Sequence, residues 1–134
     1  PIDRLILGIG TPALTRYAQQ VQLKAATRQL VGMLSLARSL AISSHEDHAV
    51  VIDAERRQVS IVNVVSGETR DELVRLPSSV AISVHSGGET ASSTQVVFRP
   101  SGALDGRTTS LVLTDRRHTQ TITVTGATGA VFVQ

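Results

Sequence analysis

The chain has 134 residues, 41% of them hydrophobic, a formal net charge of +2 and no cysteine. That length suits one domain with one core, and the lack of cysteine excludes disulfides, thiolate nucleophiles and thiolate metal sites together. Tyr17, Phe98 and Phe132 are the only aromatics, so stacking on bases or sugars has few candidates.

From the N-terminus, "PIDRLILGIG" carries an apolar run that is too short, and through Asp3 and Arg4 too charged, to span a bilayer, which takes about 20 apolar residues. Thr11-Pro12 reads as a helix start, a hydroxyl cap followed by proline at the first helical position. Beyond it Leu14, Tyr17, Val21, Leu23, Ala26, Leu30, Leu34, Ala37 and Ala41 recur at helical spacing. The pattern predicts one helix over residues 12–43, with Leu30, Leu34, Ala37 and Ala41 in the core. Such a helix runs to about 48 Å, whereas a globule of this chain length is about 36 Å across. One end has to project, and the polar composition of residues 15–20 selects the N-terminal end.

After residue 48 the hydrophobic period falls to two and β-branched residues dominate. Strands are expected at 49–52, 58–65, 72–76, 80–85, 95–99, 108–114, 121–125 and 130–133, separated by short turn clusters. This even spacing predicts antiparallel hairpins. Residues 87–94 are expected to be the most mobile loop. The architecture is therefore α+β: a helix region, residues 1–44, whose long N-terminal α-helix packs on an antiparallel β-domain, residues 45–134, together one domain.

Three clusters invite a chemical reading. His45-Glu46-Asp47-His48 could offer two imidazoles and two carboxylates to a divalent metal. A zinc site needs three or four ligands in fixed geometry, and nothing in the sequence brings His85, His118 or a further acid to this pair. A polar turn between helix and strand accounts for the tetrad, and a histidine suits the negative end of a helix dipole. In "VVFRPSGALDG" the trio Arg99, Ser101 and Asp105 lacks an adjacent histidine to activate the serine and lacks an oxyanion-hole pattern. It reads as a hairpin loop, with Pro100 fixing φ and Gly102 and Gly106 free to take positive φ. Gly8-Ile9-Gly10 has neither the preceding strand nor the third glycine of a nucleotide fingerprint. No catalytic residue, metal or cofactor is expected. Arg116-Arg117-His118 falls at a hairpin tip, where both arginines can reach a phosphate backbone; a solvated turn is the simpler account, and Asp115 beside the pair weakens its field.

Taken in order, these pieces resemble a known family. "GIGTPALTRYAQQVQLKAATRQLVGMLSLARSLAISS" is similar to the first-helix region of type IV pilin-like proteins, just after their membrane-spanning half. Pro12, the polar turn after it, and then Leu34, Ala37-Arg38 and Ala41-Ile42 resemble the GspH/FimT family of minor pseudopilins. "VVFRPSGALDG" is similar to a hairpin of that family, and "TITVTGATGAVFV" sits where its closing strands lie. The resemblance covers residues 8–134 and rests on order and spacing rather than on one motif.

The resemblance implies a pilin-like fold with two small sheets and a structural, non-enzymatic role as a minor pseudopilin of the type II secretion pseudopilus. It implies an inner-membrane anchor through an apolar helix half preceding this chain, a periplasmic β-domain, and other minor and major pseudopilins, with secreted cargo, as partners. Leu14, Tyr17 and Val21 are the expected partner-facing residues, because the β-domain cannot cover that end of the helix. The alternative it implies is a minor type IV pilin of a pilus-assembly or DNA-uptake system. Some members of that branch bind DNA through a C-terminal Gly-Arg-x-Arg tail. Here the matching stretch is Gly129-Ala130-Val131-Phe132-Val133, so both tail arginines are absent, and Arg116 and Arg117 are the remaining candidates for DNA.

Overall fold

A computed structural model describes the backbone of all residues except 1, 71, 72, 87, 88 and 92, and the side chains of residues 18, 21–70, 73–86 and 95–134. The first element, α1 (Ile2–Ser44), is a single helix of 43 residues, about 64 Å long. It begins ten residues before the expected Thr11-Pro12 start, so Pro12 lies inside the helix. A proline there removes one backbone N–H and crowds the preceding turn. Helix-compatible residues on both sides hold the element together across it, and a start signal read locally cannot register that continuity.

The buried face of α1 follows the expected spacing: Leu23, Ala26, Leu30, Met33, Leu34, Ala37 and Ala41 are all buried. Ala37 and Ala41 have zero exposure; a methyl group at those positions lets strands approach the helix backbone closely. Thr27 is the polar exception on this face, and its hydroxyl donates to the Leu23 carbonyl at 2.8 Å, so no orphaned donor enters the core.

Among the described residues nine strands follow: β1 (His48–Asp53), β2 (Gln58–Asn63), β3 (Val74–Arg75), β4 (Ala81–Ser86), β5 (Glu89–Ala91), β6 (Ser93–Phe98), β7 (Thr109–Thr114), β8 (Thr119–Val124) and β9 (Val131–Val133). They form two antiparallel sheets, one ordered β3-β2-β1-β6 and the other β5-β4-β7-β8-β9. The helix packs on β1, β2 and β6 of the first and on β7, β8 and β9 of the second. Alternation of buried and partly exposed positions along β2 and β7 directs Val59, Ile61, Leu111 and Leu113 into the same core as Phe98, as period-two patterning requires.

Four expectations need correction. Within residues 87–94, where a loop was expected, β5 pairs with β4 (Val84 opposite Ala91) and β6 begins at Ser93; the polar side chains there mask a strand whose bonds are made by the backbone. The second strand stops at Asn63 rather than at 65, because the Asn63 Oδ1 accepts from the amides of Val65 (2.9 Å) and Ser66 (3.1 Å) and turns the chain. The third shrinks to Val74–Arg75, with residues 71 and 72 outside the described set. Finally, residues 99–108 do not join β6 to a neighbouring strand. They fold back on β6 through a Phe98–Leu104 bridge and then cross to the second sheet.

Candidate functional site

The His45–His48 tetrad is consumed by the helix-to-strand turn. His45 stands just past the helix in the left-handed region, φ 59°, the position that usually takes glycine. Glu46 accepts from the Asn63 amide at 2.6 Å, and the Asp47 carbonyl accepts from Val64 N at 2.9 Å. His48 is fully buried at the head of β1, its Nδ1 2.9 Å from the Glu46 carbonyl and its Nε2 without a partner. His45 is exposed while His48 is sealed in the core, so the two imidazoles serve different surroundings. Among the described residues, no group of three or more His, Cys, Asp or Glu is placed to hold a metal ion.

The Arg99, Ser101 and Asp105 trio also has structural work. Arg99 donates to Asp105 at 2.6 Å across the crossover; that hydrogen bond, reinforced by the carboxylate's charge, holds the guanidinium pKa above its ordinary value. Ser101 Oγ accepts from the Ala103 amide at 3.4 Å. Two glycines pack closely below this turn. Gly102 and Gly129 both take positive φ, 92° and 72°, and a Cβ on Gly129 would fall 1.9 Å from the Gly102 carbonyl oxygen. Arg38, projecting from the helix, donates from Nε to that same oxygen at 3.1 Å and from Nη2 to the Thr128 carbonyl at 3.3 Å. One guanidinium therefore ties the helix, the crossover and the last hairpin together.

What remains for function is surface. Arg116 and Arg117 are exposed at the β7–β8 tip. The tip is shaped by Asp115, whose Oδ1 accepts from the amides of Arg117 (2.7 Å) and His118 (2.6 Å). The bond from the Arg117 amide, more than any other cause, lowers the Asp115 pKa. On the helix, Val21 is 46% exposed; the side chains of Leu14 and Tyr17 lie outside the described residues. A cavity of about 320 Å³ opens between helix and second sheet, lined by Lys24, Thr27, Arg28, Val31, Gln120 and Val133. The edge strand β9 adds exposed Phe132 and Val133. Sequence reasoning missed a second cleft of about 490 Å³, lined by Arg56, Arg57, Gln58, Arg75, Leu76 and Ser78. The Arg56-Arg57 pair was visible in the sequence, but Arg75 joins it only through the β2–β3 register, which sets Gln58 opposite Arg75. Apolar grooves and cationic clefts bind partners; none of these surfaces gathers a nucleophile with a base.

The family model described as Type II transport protein GspH matches residues 26–129. The chain belongs to the GspH family. Solved structures agree with the fold. The minor pseudopilin EpsH from the type 2 secretion system of Vibrio cholerae matches with a TM-score of 0.69 at 18% identity, over 84% of this chain and 96% of that one. The type IV minor pilin FimU of Pseudomonas aeruginosa matches with a TM-score of 0.70 at 15% identity, over 88% and 92%. No curated protein gives a significant match. This member of the GspH family thus has a pilin-like α+β fold, one helix on two antiparallel sheets, and belongs with structural pilin-like subunits.

Proposed function

We infer that this GspH-family chain is the periplasmic part of a minor pseudopilin that helps assemble the pseudopilus, or its tip complex, for type II protein secretion. The match to the GspH model over residues 26–129 carries this reading. The helix supports it, because Leu23 is the first buried position among the described helix residues and the helix runs on for 21 residues before it, which offers a surface to neighbouring subunits. In the assembled state that helix continues into the inner membrane, and Leu14, Tyr17 and Val21 face other minor and major pseudopilins. The exposed groove and edge strand of the β-domain offer further contacts to them or to secreted cargo.

A photo-crosslinking residue at Val21 of the membrane-inserted protein, expressed in its own host, tests the assignment. Adducts to pseudopilins of the secretion system are expected. Adducts only to type IV pilins would move the protein to pilus assembly, and no adduct to any pilin-like subunit would sink both readings. The second reading, a DNA-binding minor pilin, draws on the equally good fit to FimU and on the exposed Arg116-Arg117 tip. Its test is fluorescence anisotropy of labelled duplex DNA at 50 and 200 mM salt. Micromolar, salt-sensitive binding lost in Arg116→Ala/Arg117→Ala would favour it; no binding at low salt is the expected result.

A further inference from the structure

Two basic clusters that are far apart in sequence meet at one pole of the β-domain, and the helix leaves the domain between them. On one flank, Ser79 Oγ donates to Gln22 Oε1 at 2.6 Å, which fixes the loop carrying Ser78 and the Arg56, Arg57 and Arg75 cleft at the level of Gln22. On the other flank, His118 and Gln120 share a small cavity with Leu23 and Lys24, which sets the Arg116-Arg117 tip at the same level. Among the described residues this pole holds six cations, Lys24, Arg56, Arg57, Arg75, Arg116 and Arg117, against three carboxylates, Asp53, Glu55 and Asp115. Its one ion pair to an arginine, Asp53 with Arg56, is long at 3.8 Å with Arg56 77% exposed, so it neutralises little.

We propose that this basic pole is a docking collar for an anionic phospholipid surface, with the Arg56, Arg57 and Arg75 cleft accepting a head-group phosphate. The proposal rests on the membrane-anchored reading above and adds a second, electrostatic contact to it. The geometry selects the occupant. A helix about 10–12 Å across projects through the middle of the pole, so a duplex or a folded partner approaching along the axis collides with it. A surface pierced by the helix meets both flanks together. The distances also fit. Residues 5–14, LILGIGTPAL, carry no charge and the adjacent Asp3 and Arg4 offset each other, and Leu14 lies eight residues, about 12 Å, from Gln22 along the helix. A head-group layer about 5–7 Å thick over that uncharged segment leaves a gap that extended arginine side chains span. The collar then sits within one Debye length of the lipid charge.

The test is co-sedimentation of this chain with vesicles of phosphatidylcholine alone and of phosphatidylcholine with 30% phosphatidylglycerol, at 50 and 200 mM salt. Three variants accompany it: Arg56→Gln/Arg57→Asn, Arg116→Gln/Arg117→Gln and, as a distant control, Arg107→Gln on the crossover. Asparagine is chosen at 57 because that backbone is left-handed, φ 53°, and it tolerates the conformation. Melting curves confirm that each variant folds. Binding to the anionic vesicles only is expected, weakened by salt, by about 30-fold in each double variant from roughly fivefold per surface cation, and unchanged in the control. Equal binding to neutral vesicles that the double variants leave intact would overturn the collar while keeping a membrane-seeking helix. Absence of any anionic preference would overturn it too, leaving subunit assembly to be judged by the Val21 crosslinks. Tighter binding of duplex DNA than of anionic vesicles through the same arginines would reassign the pole to nucleic acid, and free glycerol phosphate competing at millimolar concentration would reassign the cleft to a soluble ligand.

Discussion

The contact between Gly129 and Gly102 makes a sharp prediction about what holds the two loops on the helix. An alanine at 129 must adopt φ near 72°, which costs about 1–2 kcal/mol for a residue with a Cβ. Its methyl would also sit 1.9 Å from a backbone carbonyl oxygen, a separation no rotamer relieves because both atoms are fixed to main chain. The loops must part, at an overpacking cost of about 1–3 kcal/mol. Parting them lengthens the 3.1 Å bond from Arg38 to Gly102 and exposes a carbonyl that lies under the crossover, for about 1 kcal/mol more. The expected loss is about 3–6 kcal/mol, a large share of the roughly 5–15 kcal/mol that stabilises a domain. Gly67→Ala is the internal comparison: it has nearly the same φ, 76°, but nothing within 4 Å of its new Cβ, so it should lose only the conformational part. Urea unfolding followed by circular dichroism measures both. If Gly129→Ala came within about 1 kcal/mol of Gly67→Ala, the loop contact would be refuted and only the backbone conformation would matter.

Other outcomes follow from single positions. His45→Gly should raise stability by about 0.5–1 kcal/mol, because glycine relieves about 1–2 kcal/mol of left-handed strain at a smaller entropic cost of its own; thermal melting should show a rise of a few degrees, and a fall would refute the cap assignment. Leu34→Ala should cost about 2–5 kcal/mol, since Leu34 is completely buried where the helix meets the sheets, and urea titration reads it. Asp115 has a folded pKa below its unfolded value, so its contribution is present above the unfolded carboxylate pKa and is lost as pH falls through the lower folded one. The destabilisation caused by Asp115→Asn should therefore be full at neutral pH and vanish well below pH 4, and a pH-independent effect would show that its charge is irrelevant to the tip.

The helix face was legible because burial of Leu23, Leu30, Leu34, Ala37 and Ala41 is written directly in a 3.6-residue repeat. The strands with alternating β-branched residues, such as β2 and β7, were legible for the same reason. Where the sequence misled, the deciding interaction was not periodic. β5 is held by backbone pairing that Glu89, Thr90 and Ala91 do not advertise. Asn63 ends β2 with one side-chain oxygen, an event no hydrophobic count detects. Pro12 looked like a beginning because its local chemistry suits one, but the helix spans it. The basic pole was half visible: each arginine pair could be seen, whereas their meeting at Gln22 and Leu23 depends on how two sheets are laid on one helix.

The same contrast explains why the residues that looked most chemical are the least available for chemistry. His48, Glu46, Asn63, Arg99 and Asp105 hold turns at the ends of strands, where the chain reverses and its backbone groups need partners that the ladders do not supply. Polar side chains placed there are spent on folding. Side chains free to meet another molecule lie instead on the projecting helix, along the β9 edge and around the pole where the helix leaves. A subunit that works by assembly needs this division. Its interior junctions must be fully bonded so that the domain keeps one shape, and its contacts must lie where the fold leaves surface uncovered. On the proposed reading, the helix exit is where anchoring, subunit packing and lipid contact would act on the same few residues.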